Sequence, residues 1–151
     1  TRTSPNAGFP PAQLEAITVP VMLMGGSEDV DVFPENNEIA FDQIVNAPRV
    51  YRVDIIGATH THFASVCWIG DYLVSIGFTQ ERWAALGAED LIEPYESTCS
   101  PEAFPIEDSS RLAILYTVAF FRRHLRGELG YDHYLSPTFA SSEPAVEFFR
   151  R

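Results

Sequence analysis

The stretch VPVMLMGGSEDVDVFPENNEIAFDQIVNAPRVYRVDIIG (residues 19–57) decides the fold class of this 151-residue chain. It opens with a continuous apolar run, residues 19–26, that two glycines end, as in a strand buried on both faces of a parallel sheet. Residues 34–46 predict a helix with a proline and acidic side chains near its start. Residues 49–57 predict a second strand. The order strand, helix, strand indicates a doubly wound, mostly parallel α/β fold.

The remainder of the chain predicts helices. Residues 68–98 mix aromatic, glycine and acidic residues and predict short helices over a surface. Residues 107–127 predict one long helix, because apolar residues recur in it at helical spacing. Ser109 or Ser110 is expected to cap that helix at its N-terminus. The tail, residues 130–151, is aromatic and predicts irregular structure.

Two strands are too few for this fold. A stable sheet usually needs three or more strands, and both predicted strands look buried, so they require neighbours. We therefore expect residues 1–151 to be the C-terminal portion of a single larger α/β domain, incomplete without an upstream segment.

Composition excludes several function classes. The formal net charge of −11 disfavours a nucleic-acid backbone or an anionic membrane as partner. All ten basic residues are arginine, which removes lysine-based Schiff-base and P-loop chemistry. The longest apolar runs are far shorter than the roughly 20 residues of a membrane span. We expect no nucleic acid, no membrane span and no cofactor.

An acid and a histidine follow the two predicted strands. Asp29 lies three residues past Gly26, and His60 lies three residues past Gly57. Functional groups of an open parallel sheet lie beyond the carboxyl ends of its strands, so these two side chains are expected to meet. The carboxylate would hold the imidazole Nδ1–H, and the other nitrogen would take a proton from a nucleophile. Asp31 is the alternative acid.

The neighbouring histidine raises the question of a metal. His60-x-His62 resembles the start of the metallo-β-lactamase signature His-x-His-x-Asp-His. Ala64 and Ser65 occupy the positions of its last two ligands. We therefore predict no metal at this pair and expect His62 to be a pocket-wall or surface residue.

Three segments resemble one family. ITVPVMLMGGSEDVDVFPE (residues 17–35) resembles the strand-and-acid segment of α/β-hydrolases, and IIGATHTHFASVC (residues 55–67) resembles their histidine segment. The nearer likeness is to the branch of dienelactone hydrolases, platelet-activating-factor acetylhydrolases and cutinase-like polyester hydrolases. Members of that branch carry Gly-Ala-(Thr or Gly)-His, and some have Phe three and Cys seven residues later, as Phe63 and Cys67 are here. Residues 117–137 resemble the closing helix and tail of the branch.

The resemblance implies a serine carboxylic-ester hydrolase in which His60 and Asp29 serve a Ser-His-Asp triad. It also implies a serine in a Gly-x-Ser-x-Gly elbow and an oxyanion hole from an earlier loop. Ser27 and Ser75 each lack one glycine of that motif. The nucleophile is therefore expected on an upstream segment or a partner chain. The alternatives are a non-catalytic hydrolase-like binding subunit and a His-x-His metal-dependent hydrolase.

The cysteines and aromatic residues after the histidine complete the prediction. Cys67 and Cys99 permit one disulfide, or they remain two buried thiols. A disulfide requires an oxidising setting, so a secreted or periplasmic location is expected. Residues 68–98 directly follow the histidine and are predicted to form a lid-like insertion. Phe63 and Trp68 are the candidate substrate-binding residues for an ester substrate.

Overall fold

A computed structural model describes residues 8–151. Three strands and seven α-helices follow one another along these residues, together with three short 3-10 turns at His60–Phe63, Glu89–Leu91 and Leu129–Asp132. In chain order the strands and helices are α1 (Pro11–Glu15), β1 (Val21–Gly26), α2 (Pro34–Gln43), β2 (Val50–Ile55), α3 (Val66–Ser75), α4 (Gln80–Ala85), α5 (Ile92–Cys99), α6 (Ile106–Leu125), α7 (Pro137–Ala140) and β3 (Val146–Arg150).

The three strands form one mixed sheet in the order β1-β2-β3. The predicted strand–helix–strand unit is confirmed, since β1 and β2 are parallel with Gly26 opposite Ile55 at their carboxyl ends. β3 is antiparallel to β2. The expectation of an irregular tail is therefore wrong, and within residues 8–151 the sheet is mixed rather than mostly parallel. The tail forms a strand because Val146 and Phe148 pack against the core while Glu147 between them faces outward.

Helices lie against both faces of the sheet. On one face, Tyr51, Val53 and Ile55 of β2 form an apolar cluster with the buried side of α6. On the other face, Val50 clusters with Leu14 of α1 and with residues of α2. The side chains of β2 alternate between the two faces of the sheet, as the period of a strand requires. The result is a three-layer mixed α/β structure.

The outer edge of β1 is open in the part of the chain that the structure describes. Val21 donates its amide to the carbonyl of Arg49, just before β2, and Ser27 donates its amide to the carbonyl of Ile55 in β2, at 3.0 Å each. Alternate amides of a strand point in opposite directions, so those of Met22 and Met24 face the outer edge. The expected burial on both faces holds for β2, whereas most of β1 is only half-buried. β1 is less buried than expected because it has a neighbouring strand on one side alone.

The start of α6 differs from the prediction. Neither Ser109 nor Ser110 caps the helix; Pro105 precedes its first residue and makes no side-chain cap. Proline has the backbone angle that a helix start requires, so the helix begins earlier than a serine cap would place it. Ser109 lies one turn inside the helix, where its buried hydroxyl donates to the carbonyl of His62 at 2.9 Å. Gly127, with φ of +68°, follows the end of the helix.

One side of α6 carries an exposed apolar stripe. Its members recur at helical spacing and are Ile114, Val118, Phe121 and Leu125. The opposite side of the helix holds the core residues that pack on β2. None of the helices within residues 8–151 combines the length and apolarity needed to cross a membrane.

A disulfide joins Cys67 on α3 to Cys99 on α5, as predicted. We call residues 67–99 the bridged segment; it contains the short helices expected there. A second link follows one turn along, where the Tyr95 hydroxyl donates to the Asp71 carboxylate at 2.5 Å. Gly70 makes this approach possible, because a Cβ on it would lie 2.3 Å from the Tyr95 ring.

Candidate active site

The loops after β1 and β2 are held together at the carboxyl edge of the sheet. A Cβ on Gly26 would lie 2.1 Å from the carbonyl oxygen of Ala58, so only glycine permits this approach. Glu28 donates its amide to the same carbonyl at 3.0 Å. Gly57 donates its amide to the Ser27 hydroxyl at 2.9 Å. These contacts fix the position of one loop relative to the other.

The acid and the histidine meet where these loops end. His60 Nδ1 lies 3.0 Å from Asp29 Oδ2, and the Asp29 side chain is 5% exposed. The other carboxylate oxygen, Oδ1, accepts the amides of Asp31 at 2.9 Å and Val32 at 2.8 Å. Three donors therefore hold the carboxylate in one orientation. Because a carboxylate accepts hydrogen bonds, the network assigns the proton of the neutral imidazole to Nδ1.

The remaining nitrogen of His60 belongs to a half-exposed side chain. The His60 side chain is 54% exposed, and its Nε2 has no hydrogen-bond partner within residues 8–151. An unprotonated Nε2 with solvent access can accept a proton, which is the role of a general base. Asp31 is exposed and contributes its backbone amide to Asp29. The structure thus brings Asp29 to the histidine and leaves the Asp31 carboxyl outside.

His62 has a structural position that the prediction missed. The expectation of a pocket-wall or surface residue is wrong, since His62 is 2% exposed. Its Nε2 donates to the Phe104 carbonyl at 2.9 Å, and its Nδ1 accepts the Thr59 amide at 3.0 Å. With the hydrogen bond from Ser109, His62 anchors the 3-10 turn that carries His60 to α6. The spacing Thr59-x-x-His62 is that of a capping box, a signal present in the sequence.

The two histidines do not offer a pair of metal ligands. Both ring nitrogens of His62 are occupied by protein hydrogen bonds, whereas His60 has one nitrogen free. The described part of the chain contains no group of three or more His, Cys, Asp or Glu residues arranged to hold a metal ion. The geometry of this site is that of an acid–base pair.

An open depression of about 400 Å³ surrounds the pair. Both Asp29 and His60 line it, as does Phe63, whose side chain belongs to the same 3-10 turn. Trp68 does not line it: this residue is 75% exposed and borders another hollow, between α3 and the start of α6, which shares Ala64 with the depression. Of the two predicted substrate-binding residues, the structure brings Phe63 to the pair and places Trp68 elsewhere.

No serine in the described part of the chain serves as the partner of His60. The Ser27 hydroxyl binds the Gly57 amide, and the Ser75 hydroxyl donates to the Tyr72 carbonyl at 2.7 Å. Neither contacts the histidine. The site thus contains a histidine and the carboxylate that holds it, but the described part of the chain places no serine hydroxyl in contact with that histidine.

A second buried acid lies on β2 and does not belong to the site. Asp54 pairs with Arg52 at 2.8 Å, and the two side chains are almost fully buried. Desolvation raises the pKa of Asp54, while the charge of Arg52 opposes that rise. Its carboxylate binds Arg52 rather than His60, so burial alone does not distinguish the acid that meets the histidine.

Comparisons of this chain with protein-family models, with curated proteins and with solved structures found no match.

Proposed function

We propose that this chain supplies the histidine and the acid of a serine carboxylic-ester hydrolase. His60 is the general base and Asp29 its orienting acid. The nucleophile serine and the oxyanion hole come from an upstream segment or a partner chain. The observation that carries the proposal is the 3.0 Å contact between His60 Nδ1 and a buried carboxylate, at a half-exposed histidine that lines an open depression.

In the proposed reaction, the serine Oγ attacks the ester carbonyl carbon while His60 Nε2 takes the hydroxyl proton. The tetrahedral intermediate collapses, the carbon–oxygen bond to the alcohol breaks, and Nε2 returns that proton to the leaving oxygen. Water then attacks the acyl-serine, again losing a proton to Nε2, which finally protonates the serine as the acid leaves. Asp29 stabilises the imidazolium in both halves without changing its own protonation.

Two surfaces support a partner that completes the domain. The outer edge of β1 offers the backbone groups of Met22 and Met24 to a further strand. An open edge of this kind is a template for pairing. The exposed stripe on α6 offers apolar area that a partner could cover. A segment that adds a strand to β1 would bring its own carboxyl-end loop to the edge of the sheet where His60 lies.

The disulfide supports a secreted or periplasmic location. Disulfides form and persist in oxidising compartments and are rare in the cytosol. Cys67 and Cys99 are the two cysteines of the chain, and both are in the bridge.

The test begins with protein purified from its source. Mass spectrometry should detect an upstream polypeptide bound to this chain or continuous with it. A fluorophosphonate should label a serine in that upstream part, and His60→Ala should abolish both labelling and hydrolysis of p-nitrophenyl esters. Retained turnover in His60→Ala would refute the assignment. Loss of activity on adding a chelator would favour the metal-dependent alternative instead.

A second candidate is a hydrolase-like binding subunit without catalysis. It is favoured by one observation: no serine hydroxyl contacts His60 within residues 8–151. An upstream part without a serine that reacts with fluorophosphonate, together with measurable binding of an ester analogue, would select this function over the first.

A further inference from the structure

We propose that an apolar cavity formed by the bridged segment and the three residues before it binds the acyl chain of the substrate, so that medium-chain acyl esters are the substrate class. This inference extends the proposed esterase function and names its substrate. The cavity has a volume of about 330 Å³ and lies between α3, α4 and α5. Such a volume is at the small end of the range for ligand sites, roughly 300–1,000 Å³. Its walls are mainly the side chains of Val66, Ile69, Leu73, Phe78, Trp83 and Leu91.

The cavity has almost no polar group with which to hold a polar ligand. Apart from Ser65, the only side-chain polar atoms of its lining residues belong to Trp83 and Tyr95. The Trp83 ring nitrogen donates to the Phe78 carbonyl at 2.8 Å, and the Tyr95 hydroxyl donates to Asp71. A polar ligand would lose its hydration there without replacement, whereas a hydrocarbon chain would gain from burial.

The walls of the cavity are held in place by the links between α3 and α5. The disulfide and the hydrogen bond between Tyr95 and Asp71 are one helical turn apart. Between them the Tyr95 ring lies directly on Gly70. The Trp83 ring then packs edge-on against Tyr95, with centroids 5.4 Å apart. A cavity fixed in this way is formed before the ligand arrives, which reduces the entropy cost of binding.

The cavity adjoins the catalytic depression. Ala64 lines both hollows, and it follows directly after Phe63, the last residue of the turn that carries His60. An ester whose carbonyl lies beside His60 can therefore extend its acyl chain past Ala64 into the cavity. Phe63 would then contact the part of the chain nearest the carbonyl.

Direct binding tests the cavity without any turnover. The probe is a bromo-octanoate, whose bromine quenches tryptophan emission on contact. In a Trp68→Phe background the remaining tryptophan is Trp83, which lines the cavity. We expect bromo-octanoate to quench the Trp83 emission of the full chain in a saturable way. Ala88→Phe fills the cavity and should weaken the binding of bromo-octanoate at least about tenfold, because each excluded methylene lowers the affinity about fourfold. Ala85 is exposed on α4 outside the cavity, so Ala85→Phe should change the affinity for bromo-octanoate less than about twofold.

Circular dichroism and unfolding curves show whether each variant folds. If Ala88→Phe does not fold, Leu73→Phe, at another residue that lines the cavity, replaces it. Absence of saturable quenching, or equal weakening in the filling and control variants, overturns the proposal.

Turnover then connects the cavity to catalysis. With the serine-bearing part present, kcat/KM should rise from p-nitrophenyl acetate to the octanoate, and Ala88→Phe should lower only the octanoate value. The same loss for both esters overturns the acyl assignment. Saturable quenching without turnover of any ester supports a fatty-acid site while refuting the esterase function, so the two proposals fail separately.

Discussion

Replacing Asp29 by asparagine should inactivate the site while leaving its structure in place. The two amides that bind Oδ1 decide how the new side chain is oriented. If the asparagine turned its NH₂ toward them, two hydrogen bonds would be lost at about 1–3 kcal/mol each. The asparagine therefore keeps its oxygen on these amides and presents its NH₂ to His60. His60 Nδ1 must then accept a hydrogen bond, which moves the ring proton to Nε2.

A histidine protonated on Nε2 cannot take the proton of the serine. We expect kcat to fall about 10⁴-fold, the size of loss expected for the wrong tautomer. That factor corresponds to about 5.4 kcal/mol of transition-state stabilisation. The stability of the fold should fall by only about 1–2 kcal/mol, since charge-assisted hydrogen bonds become neutral ones.

Two measurements separate these effects. The ¹⁵N chemical shifts of the His60 ring should report the change of tautomer in the chain alone, without any substrate. Ester hydrolysis with the upstream part present should report the loss in kcat. Asp31→Asn is the matched control, because the Asp31 side chain is exposed and its contribution is a backbone amide. Unchanged His60 shifts in Asp29→Asn, or a larger kcat loss in Asp31→Asn, would refute the assigned acid.

Three further predictions follow from the contacts around the site and the core. Gly26→Ala should separate the two loops, because its Cβ would lie 2.1 Å from the Ala58 oxygen, and turnover should fall at least about tenfold. Gly130→Ala is the control and should leave turnover unchanged, because open space surrounds Gly130. Equal turnover in the two variants would contradict the reasoning. Cys67→Ser should lower the free energy of unfolding by about 4 kcal/mol, because the disulfide closes a loop of about 33 residues. Denaturant unfolding measures that free energy, and an unchanged unfolding midpoint would contradict the prediction. Burial lowers the pKa of His124 below its usual 6.5, so the unfolded state binds more protons below about pH 6.5 and the stability of the fold should decrease on acidification. In thermal unfolding, His124→Phe should lose that part of the pH dependence. An equally steep pH dependence in the variant would refute the role of His124.

Local patterns were enough to predict the elements that place the acid and the base. Continuous apolar runs identified β1 and β2, and the position of Asp29 and His60 past two strand ends predicted that they meet. β3 escaped prediction because VEFFR is short and carries two charged residues. Its strand state depends on Phe148 packing against Tyr51 and Tyr116, which are distant in sequence.

The role of His62 escaped prediction for a related reason. Two of its partners, the Phe104 carbonyl and the Ser109 hydroxyl, lie more than forty residues along the chain at separations of 42 and 47. Only the contact with Thr59 is local. A His-x-His pattern therefore does not show which imidazole faces the solvent, because the answer lies in what packs behind the turn.

The geometry of the acid–base pair depends on the register of the sheet as much as on the loops. Gly26 and Ile55 are opposite one another at the ends of β1 and β2, so the two loops begin at the same level. A slip of one residue would exchange the faces of β2 and bury Arg52 and Asp54 where Tyr51 and Val53 now pack. The two apolar clusters on β2 thus oppose a slip, and they fix the level at which Asp29 and His60 emerge. Substitutions in these clusters should therefore alter the Asp29–His60 contact although they lie outside the depression, because they shift the strand ends from which both loops start.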